Sequence, residues 1–135
     1  MARALLPAQL DDGDLERALS VLADRFRASG LQVDVAYGLQ EQLTTRYQIA
    51  VYHVAAEALM NAYRHARATT VAITVRLAGS GVELEVVDDG RGLRDDPDAG
   101  VGLRSMRERA AELTGELSVA ARGDGPGTRV WMVLP

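Results

Sequence analysis

Residues 57–66 read Glu-Ala-Leu-Met-Asn-Ala-Tyr-Arg-His-Ala, and the fold of this chain is best approached from this stretch. Apolar residues at helical spacing on both sides predict a long helix from about Arg46 to Ala66. Polar side chains four residues apart interrupt its apolar face and share one stripe along the helix. The stripe consists of His53, Glu57, Asn61, Arg64 and His65. Alanines surround the stripe, so another part of the structure or a ligand can approach it closely.

Three interpretations of this stripe stay open on the residue types. A solvated helix face is the simplest. A zinc site is disfavoured because His53 and His65 lie roughly 18 Å apart along a helix axis, and no HExxH motif occurs. A carboxylate (Glu57) one turn from an amide oxygen (Asn61), with cationic groups beyond, suits a Mg²⁺–phosphate site, because Mg²⁺ takes few protein oxygens and keeps water and phosphate oxygens.

Two glycine clusters lie in the second half of the chain. Asp88-Asp89-Gly90-Arg91-Gly92 follows a predicted strand, and Gly100-Val101-Gly102-Leu103 opens a predicted helix. Glycines after a strand allow close approach of the backbone to a ligand, and a helix N-terminus with free N–H groups attracts anions. Each cluster alone is equally compatible with an ordinary turn. Neither matches the GxGxxG pattern of dinucleotide-binding folds.

The remaining sequence predicts an α/β domain in which helices cover one face of a mixed sheet. The predicted order is helix, strand, helix, two strands, helix, two strands, with a glycine-rich loop over residues 89–102. Asp14 is a plausible N-cap for the first helix, and Gly79-Ser80-Gly81 joins a β-hairpin. The other predicted elements are a helix over residues 14–28, strands over 31–35, 71–77 and 82–87, a helix over 103–113, and strands over 117–120 and 128–134.

The composition excludes several classes of function. With 135 residues, 47% of them hydrophobic, and a mean hydropathy of −0.05, the chain fits one folded soluble domain. It has neither cysteine nor lysine, which excludes disulfides, thiolate metal sites and a P-loop lysine. The net charge of −4 argues against broad nucleic-acid binding, so no nucleic-acid partner is expected. Its opening residues do not resemble a signal peptide, and no stretch is apolar enough to span a bilayer.

Taken together, these motifs resemble those of the ATPase superfamily of gyrase, chaperones, histidine kinases and MutL. Residues 57–66 look like its N box, and residues 88–92 and 100–103 resemble its two glycine boxes. Gly127-Thr128, followed by the segment that ends in Pro135, is similar to its closing strand. Residues 5–35 and 102–110 further resemble sensor histidine kinases that pair with NarL-type response regulators.

The resemblance implies the Bergerat (GHKL) fold, an α/β two-layer sandwich with a mostly antiparallel mixed sheet covered by helices on one face. It implies ATP and Mg²⁺ as ligands. Asp88 would accept a hydrogen bond from the adenine amino group, with Thr128 supporting it, and Asn61 would hold Mg²⁺. Glu57 would be the catalytic residue that orients or deprotonates the attacking group. The other implied ATP-binding residues are Arg64, His65, Gly90, Gly92, Gly100, Gly102 and Leu103.

The resemblance also implies that residues 1–135 form a single catalytic ATP-binding domain, with residues 1–12 as a remnant of the connection to a dimerisation and phosphoacceptor domain. That domain would supply the phosphorylated histidine, because His53 and His65 lie on or beside the ATP-site helix. The parent is expected to be a homodimer, with this part cytoplasmic whether or not the parent is membrane-anchored, and this chain is expected to be a monomer. The chain departs from the family in the segment between the two glycine boxes, which would form the lid over the nucleotide. This segment has only about seven residues, Leu93 to Ala99, and it lacks a phenylalanine box. Alternatives are an anti-sigma-factor-type serine kinase and a nucleotide-free interaction module.

Overall fold

The structure is a computed structural model that describes residues 7–92 and 99–135. The fold is an α/β sandwich in which one helical layer covers one five-stranded sheet. The helices are α1 (Ala8–Asp11), α2 (Leu15–Ala28), α3 (Thr45–Arg64) and α4 (Ala99–Glu112). The strands are β1 (Gln32–Tyr37), β2 (Thr70–Ala78), β3 (Gly81–Asp88), β4 (Glu116–Ala121) and β5 (Thr128–Leu134).

The sheet is mixed and mostly antiparallel, as the sequence predicts. Its strand order is β1-β2-β3-β5-β4, and β1 pairs in parallel with β2 while every other pair is antiparallel. Buried and half-buried residues alternate along β5, as expected for a sheet that is covered on one face. On the less buried face, Arg129 pairs with Glu85 and lies over the ring of Trp131. The register places Asp88 opposite Thr128 at the end of the central pair β3 and β5.

Helix α3 is the central element of the helical layer, and its buried face carries the core. Val51, Val54 and Leu59 are fully buried on it. The Thr44 side chain accepts a hydrogen bond from the Tyr47 N–H at its N-terminus, as Asp14 does from Arg17 at the start of α2. Asp14 is therefore the N-cap that the sequence predicts. The packing of α2 and α4 on either side of α3 fixes the rotation of the helix and hence the direction of its polar stripe.

Among the differences from the sequence prediction, those at α1, α4 and β1 matter most. A short helix, α1, precedes α2 and was not predicted; its Leu10 side chain is buried in the core. Helix α4 begins at Ala99 instead of Leu103, so Gly100 and Gly102 lie in its first turn. Strand β1 begins at Gln32 and runs to Tyr37, two residues beyond the predicted end, because pairing with β2 continues to Val75. In each case contacts distant in sequence, which local periodicity does not encode, extend or create the element.

Candidate functional site

Asp88 is a buried carboxylate at the end of β3, held by backbone N–H groups. Its Oδ1 accepts hydrogen bonds from Gly90 N at 2.8 Å and from Thr128 N at 3.3 Å. The side chain is 6% exposed. Burial raises the pKa of Asp88 above its usual value, although the two backbone hydrogen bonds act in the opposite direction. Because Oδ1 is occupied by two donors, Oδ2 is the oxygen that is left to accept a hydrogen bond from a ligand.

The close pairing of the two strand ends around Asp88 depends on Gly127. Its φ of +138° lies in a backbone region that residues with a side chain rarely adopt. A Cβ atom at this position would lie 1.9 Å from the carbonyl oxygen of Asp88. Gly127 therefore lets β5 begin directly against Asp88, which brings the Thr128 N–H onto the carboxylate. Sequence reasoning identified Thr128 but did not assign this role to Gly127.

The neighbouring carboxylate, Asp89, is bound to protein donors instead. Its Oδ1 accepts hydrogen bonds from the backbone N–H groups of Thr69 and Thr70, at 2.8 and 2.9 Å. Its Oδ2 accepts one from the Thr69 hydroxyl at 2.5 Å. Burial alone would raise the pKa of Asp89, but these hydrogen bonds outweigh it and hold the pKa well below its usual value. Asp89 thus ties the end of β3 to the start of β2.

The first glycine cluster is packed against the C-terminal end of α3. A Cβ atom at Gly90 would lie 2.6 Å from both the Cβ and the carbonyl oxygen of Ala66, so only glycine fits without a backbone shift. Arg91 donates its backbone N–H to the Ala66 carbonyl at 2.9 Å and its Nε–H to the His65 carbonyl at 3.0 Å. The segment that follows Asp88 is therefore fixed to the helix that carries the polar stripe. Sequence reasoning missed Arg91, since arginine between two glycines gives no structural signal.

The second glycine cluster meets the polar stripe. A Cβ atom at Gly102 would lie 2.6 Å from Glu57 Oε2 and 3.5 Å from both side-chain polar atoms of Asn61. The first turn of α4 therefore lies directly against these two side chains. Asn61 is 5% exposed, and its Nδ2 has no hydrogen-bond partner in the part of the chain that the structure describes. The unpaired Nδ2–H can donate to a phosphate oxygen, which the helix N-terminus also attracts, while the Asn61 Oδ1 and Glu57 carboxylate oxygens suit a cation bound to that phosphate.

The other candidate residues have fewer contacts with the clusters around Asp88 and around Glu57. Arg64 is exposed at the last residue of α3, and His65 is half-buried as its C-cap. Leu103 packs against the hydrophobic core, and Gly92 has a φ of +89°. Gly100 is exposed, and a Cβ atom there would meet nothing within 4 Å in the described residues. The structure thus brings Asp88, Gly90 and Thr128 together at one end, and Glu57, Asn61 and Gly102 at the other.

A separate groove of about 510 Å³ lies between α2 and α3. Leu22, Phe26, Met60 and Tyr63 line it, and Glu57 contributes to its edge. Asp88 and Thr128 are not among its lining residues, so this groove is distinct from the cluster around Asp88.

His53 lies in this groove as well, half-buried. Its ring makes an edge contact with Tyr52, with ring centroids 6.3 Å apart. Burial lowers the pKa of His53, and the positive charge of Arg109 lowers it further. The imidazole is accordingly neutral at pH 7.

Within residues 7–92 and 99–135, no group of three or more histidine or carboxylate side chains is arranged to hold a metal ion. The zinc interpretation of the polar stripe therefore gains no support from these residues. A Mg²⁺ ion does not require such a group, since phosphate oxygens and water complete its shell. In the same residues, no helix is long and apolar enough to cross a membrane.

Comparison with known proteins agrees with this geometry. The family described as "Histidine kinase-, DNA gyrase B-, and HSP90-like ATPase" matches residues 46–135. The chain belongs to this ATPase family. The matched range begins at α3 and contains both glycine clusters and the closing strand, so it covers every candidate residue of the site.

The relatives narrow the type of ATPase. The chain is 31% identical to the sensor histidine kinase LiaS of Bacillus subtilis over 98% of this chain and 38% of LiaS. It is 31% identical to a NarQ homolog of Haemophilus influenzae, over 93% of this chain and 23% of that protein. The chain thus spans about a quarter to two fifths of these relatives' length. It is an ATP-binding catalytic domain of the histidine kinase type, and the relatives' names favour this over the serine kinase alternative.

Solved structures support the same fold. The histidine kinase domain of the Erythrobacter litoralis blue-light activated kinase aligns with a TM-score of 0.69 and 27% identity, over 90% of this chain and 63% of that one. The ATP-binding domain of PrrB from Mycobacterium tuberculosis aligns with a TM-score of 0.62 and 24% identity, over 91% and 92% of the two chains. The second likeness shows the fold alone. The predicted Bergerat fold is confirmed.

Proposed function

We propose that this chain binds Mg²⁺·ATP and transfers the γ-phosphoryl group to a histidine of a separate helical domain. The observation that carries the proposal is the buried Asp88 carboxylate, whose Oδ1 is held by two backbone donors. Its Oδ2 would accept a hydrogen bond from the adenine amino group, which guanine lacks at that position. Gly90 and Gly92 would let the nucleotide pass close to the backbone, and Thr128 would keep the carboxylate in place.

The phosphates would lie at the other end of the site, between α3 and the first turn of α4. Backbone N–H groups at Gly100, Gly102 and Leu103 would donate to phosphate oxygens, and the positive end of the helix dipole would favour their charge. Arg64 would add positive charge at the end of α3, and Arg64 and His65 would both donate hydrogen bonds to phosphate oxygens. The unpaired Asn61 Nδ2–H would donate to a phosphate oxygen, and we assign its Oδ1, beside the Glu57 carboxylate, as the protein ligand of Mg²⁺.

The chain would accelerate the transfer by positioning and electrostatics. The acceptor histidine nitrogen attacks the γ-phosphorus, the bond to the β,γ-bridging oxygen breaks, and ADP leaves. Glu57 would orient the acceptor imidazole or take its proton. Bound Mg²⁺ would neutralise charge that develops on the phosphate oxygens. Gly102 keeps the helix terminus within contact distance of Glu57, which would place the acceptor and the phosphates side by side.

The remaining assignments concern the intact protein. We propose that residues 1–135 are one catalytic domain and that the first residues lead from a dimerisation and phosphoacceptor domain, with the buried Leu10 anchoring that end. The parent would be a homodimer, with this part cytoplasmic whether or not the parent is membrane-anchored, whereas this chain would be a monomer. A NarL-type response regulator would receive the phosphoryl group on an aspartate. The net charge of −4 argues against a nucleic-acid partner.

Calorimetric titration tests the binding half of this proposal. A non-hydrolysable ATP analogue, with and without Mg²⁺, should bind, and the matching GTP analogue should not. Binding that ignores the base would contradict the role of Asp88. No binding at millimolar nucleotide would contradict the proposal as a whole.

The transfer half is tested with a phosphoacceptor domain supplied separately, using Glu57→Gln. This variant keeps the size of the side chain and removes its charge. It should bind the ATP analogue within about threefold of the wild type, and its transfer rate should fall by about 100-fold or more, the scale of general base catalysis. Equal rates in the two proteins would remove Glu57 from the mechanism.

A further inference from the structure

Arg91 makes two contacts with the C-terminal end of α3, one through its backbone and one through its side chain. The backbone N–H donates to the Ala66 carbonyl at 2.9 Å, and Nε–H donates to the His65 carbonyl at 3.0 Å. The last carbonyl groups of a helix lack partners within the helix, and cations are favoured beside them because the helix dipole is negative there. Arg91 therefore supplies both the hydrogen bonds and the charge that this helix end requires.

These contacts lie between the two ends of the candidate site. On one side, the N–H of Gly90, the residue next to Arg91, donates to Asp88 Oδ1 at 2.8 Å. On the other side, the N–H groups of His65 and Ala66 both donate to the Asn61 carbonyl at 2.9 Å. A continuous series of hydrogen bonds and short backbone steps thus joins Asp88 to Asn61, and Arg91 is its middle member.

The close fit around Arg91 leaves little freedom for an alternative arrangement. Gly90 lies so near Ala66 that even a methyl group would not fit between them. A shift of the segment after β3 would therefore be transmitted to the end of α3. Packed interfaces of this kind respond as units.

From this geometry we infer that Arg91 is a positioning residue that sets the end of α3, and so Asn61, relative to Asp88, coupling adenine recognition to Mg²⁺–phosphate recognition. This inference rests on the proposed function. Arg91 touches neither end itself, and its guanidinium acts through the His65 carbonyl. The inference gives the first glycine cluster a second role. Besides letting the nucleotide approach the backbone, the cluster would hold the two ends of the nucleotide site at a fixed separation.

The experiment compares ADP binding with and without Mg²⁺ in the wild type and in Arg91→Ala. This variant loses the side-chain hydrogen bond and keeps the backbone one. We expect the affinity for ADP without Mg²⁺ to change by less than about twofold. The factor by which Mg²⁺ strengthens binding should fall about three- to tenfold, equivalent to about 0.7–1.4 kcal/mol. Arg91→Lys, which keeps a cationic donor, should recover part of this factor.

Arg27→Ala is the matched control. Arg27 also donates Nε–H to a backbone carbonyl, that of Val33, at 3.0 Å, but it does so on α2, away from Asp88 and Asn61. Arg27 also donates from Nη2 to the Val33 carbonyl and pairs with Asp24, so Arg27→Ala should lower the melting temperature at least as much as Arg91→Ala does and leave the Mg²⁺ factor unchanged. Amide hydrogen exchange without nucleotide provides a second readout, and it should speed up at His65 and Ala66 in Arg91→Ala alone.

The outcomes separate the two proposals. If Arg91→Ala binds ADP with the wild-type Mg²⁺ factor, the coupling role is wrong, whatever happens to stability or exchange. If both arginine variants lower the factor equally, the effect is one of general stability and the inference is also overturned. If the wild type binds no ADP, the proposed function fails and the coupling inference fails with it. A reduced Mg²⁺ factor in Arg91→Ala alone, with faster exchange at the end of α3, supports the inference.

Discussion

Replacing Asp88 by asparagine should raise the stability of this chain and remove most of its affinity for ATP. The two side chains have the same shape, and the asparagine oxygen can still accept from Gly90 N and Thr128 N. The second oxygen, however, becomes an NH₂ group. It would then face the adenine amino group as a donor opposite a donor, which leaves two polar groups without partners in a buried site. At about 1–2 kcal/mol for each, the dissociation constant should rise about 30- to 1000-fold.

The effect on stability follows from the raised pKa of Asp88. Burial raises the pKa in the folded state above the usual value of 3.8, so the stability that the protonated acid confers is fully present below that value. It is lost as the pH rises through the higher folded pKa. Above that folded pKa the wild type carries a buried charge that the neutral asparagine lacks. The melting temperature of Asp88→Asn should equal or exceed that of the wild type, by roughly 3–4 °C for each kcal/mol gained in a chain of this size.

Isothermal calorimetry with a non-hydrolysable ATP analogue and thermal denaturation between pH 4 and 7 measure the two effects. The difference in melting temperature between Asp88→Asn and the wild type should grow as the pH rises. Asp34→Asn, at an exposed position on β1, is the control and should alter neither quantity. Wild-type affinity in Asp88→Asn would refute the assignment of the adenine partner. A melting temperature lowered by more than about 3 °C would show that the charged hydrogen bonds outweigh the cost of burial.

Three further substitutions test other parts of the site. Gly102→Ala should keep the fold and the Mg²⁺·ATP affinity within about threefold but slow phosphoryl transfer by moving the Glu57 carboxylate, whereas Gly100→Ala should transfer at the wild-type rate; equal transfer rates in the two variants would exclude the close contact. Gly90→Ala should lower the free energy of unfolding by about 1–3 kcal/mol, because the backbone must move away from the end of α3 to make room for the added methyl group. Urea titration measures this loss, and an unchanged unfolding midpoint would contradict the packing of Gly90 against Ala66. Asp89→Asn should cost about 0.5–1 kcal/mol at pH 7, discounted for solvent exposure, with unchanged ATP affinity. Because the pKa of Asp89 is lowered, this loss should begin to shrink as the pH falls below about 4 and vanish only as the pH falls through the lowered folded pKa, and a pH-independent loss would argue against the charge.

The elements and their order could be predicted from the sequence because the signals are local. Helical periodicity marks α2 and α3, alternation marks the strands, and Asp14 caps a helix through a neighbour three residues away. The prediction failed for α1 and for the start of α4. The four residues of α1 are too few to show a helical hydrophobic period, and Gly100 and Gly102 at the start of α4 are poor helix formers. The first turn of α4 forms nonetheless, and there Gly102 lies against Glu57 and Asn61.

Within the site, the sequence determined which residue types are present and the tertiary structure decided what each can do. Glu57 and Asn61 share a helix face by spacing alone, so their proximity could be foreseen. Asp88 and Asp89 are adjacent and chemically identical, yet burial raises the pKa of one and hydrogen bonds from Thr69 and Thr70 lower that of the other. Likewise, nothing local gives Arg91 a partner 26 residues away. Charge state and hydrogen-bond partners depend on what surrounds a group in space, and that environment forms only when β2, β3, β5 and α3 are packed together.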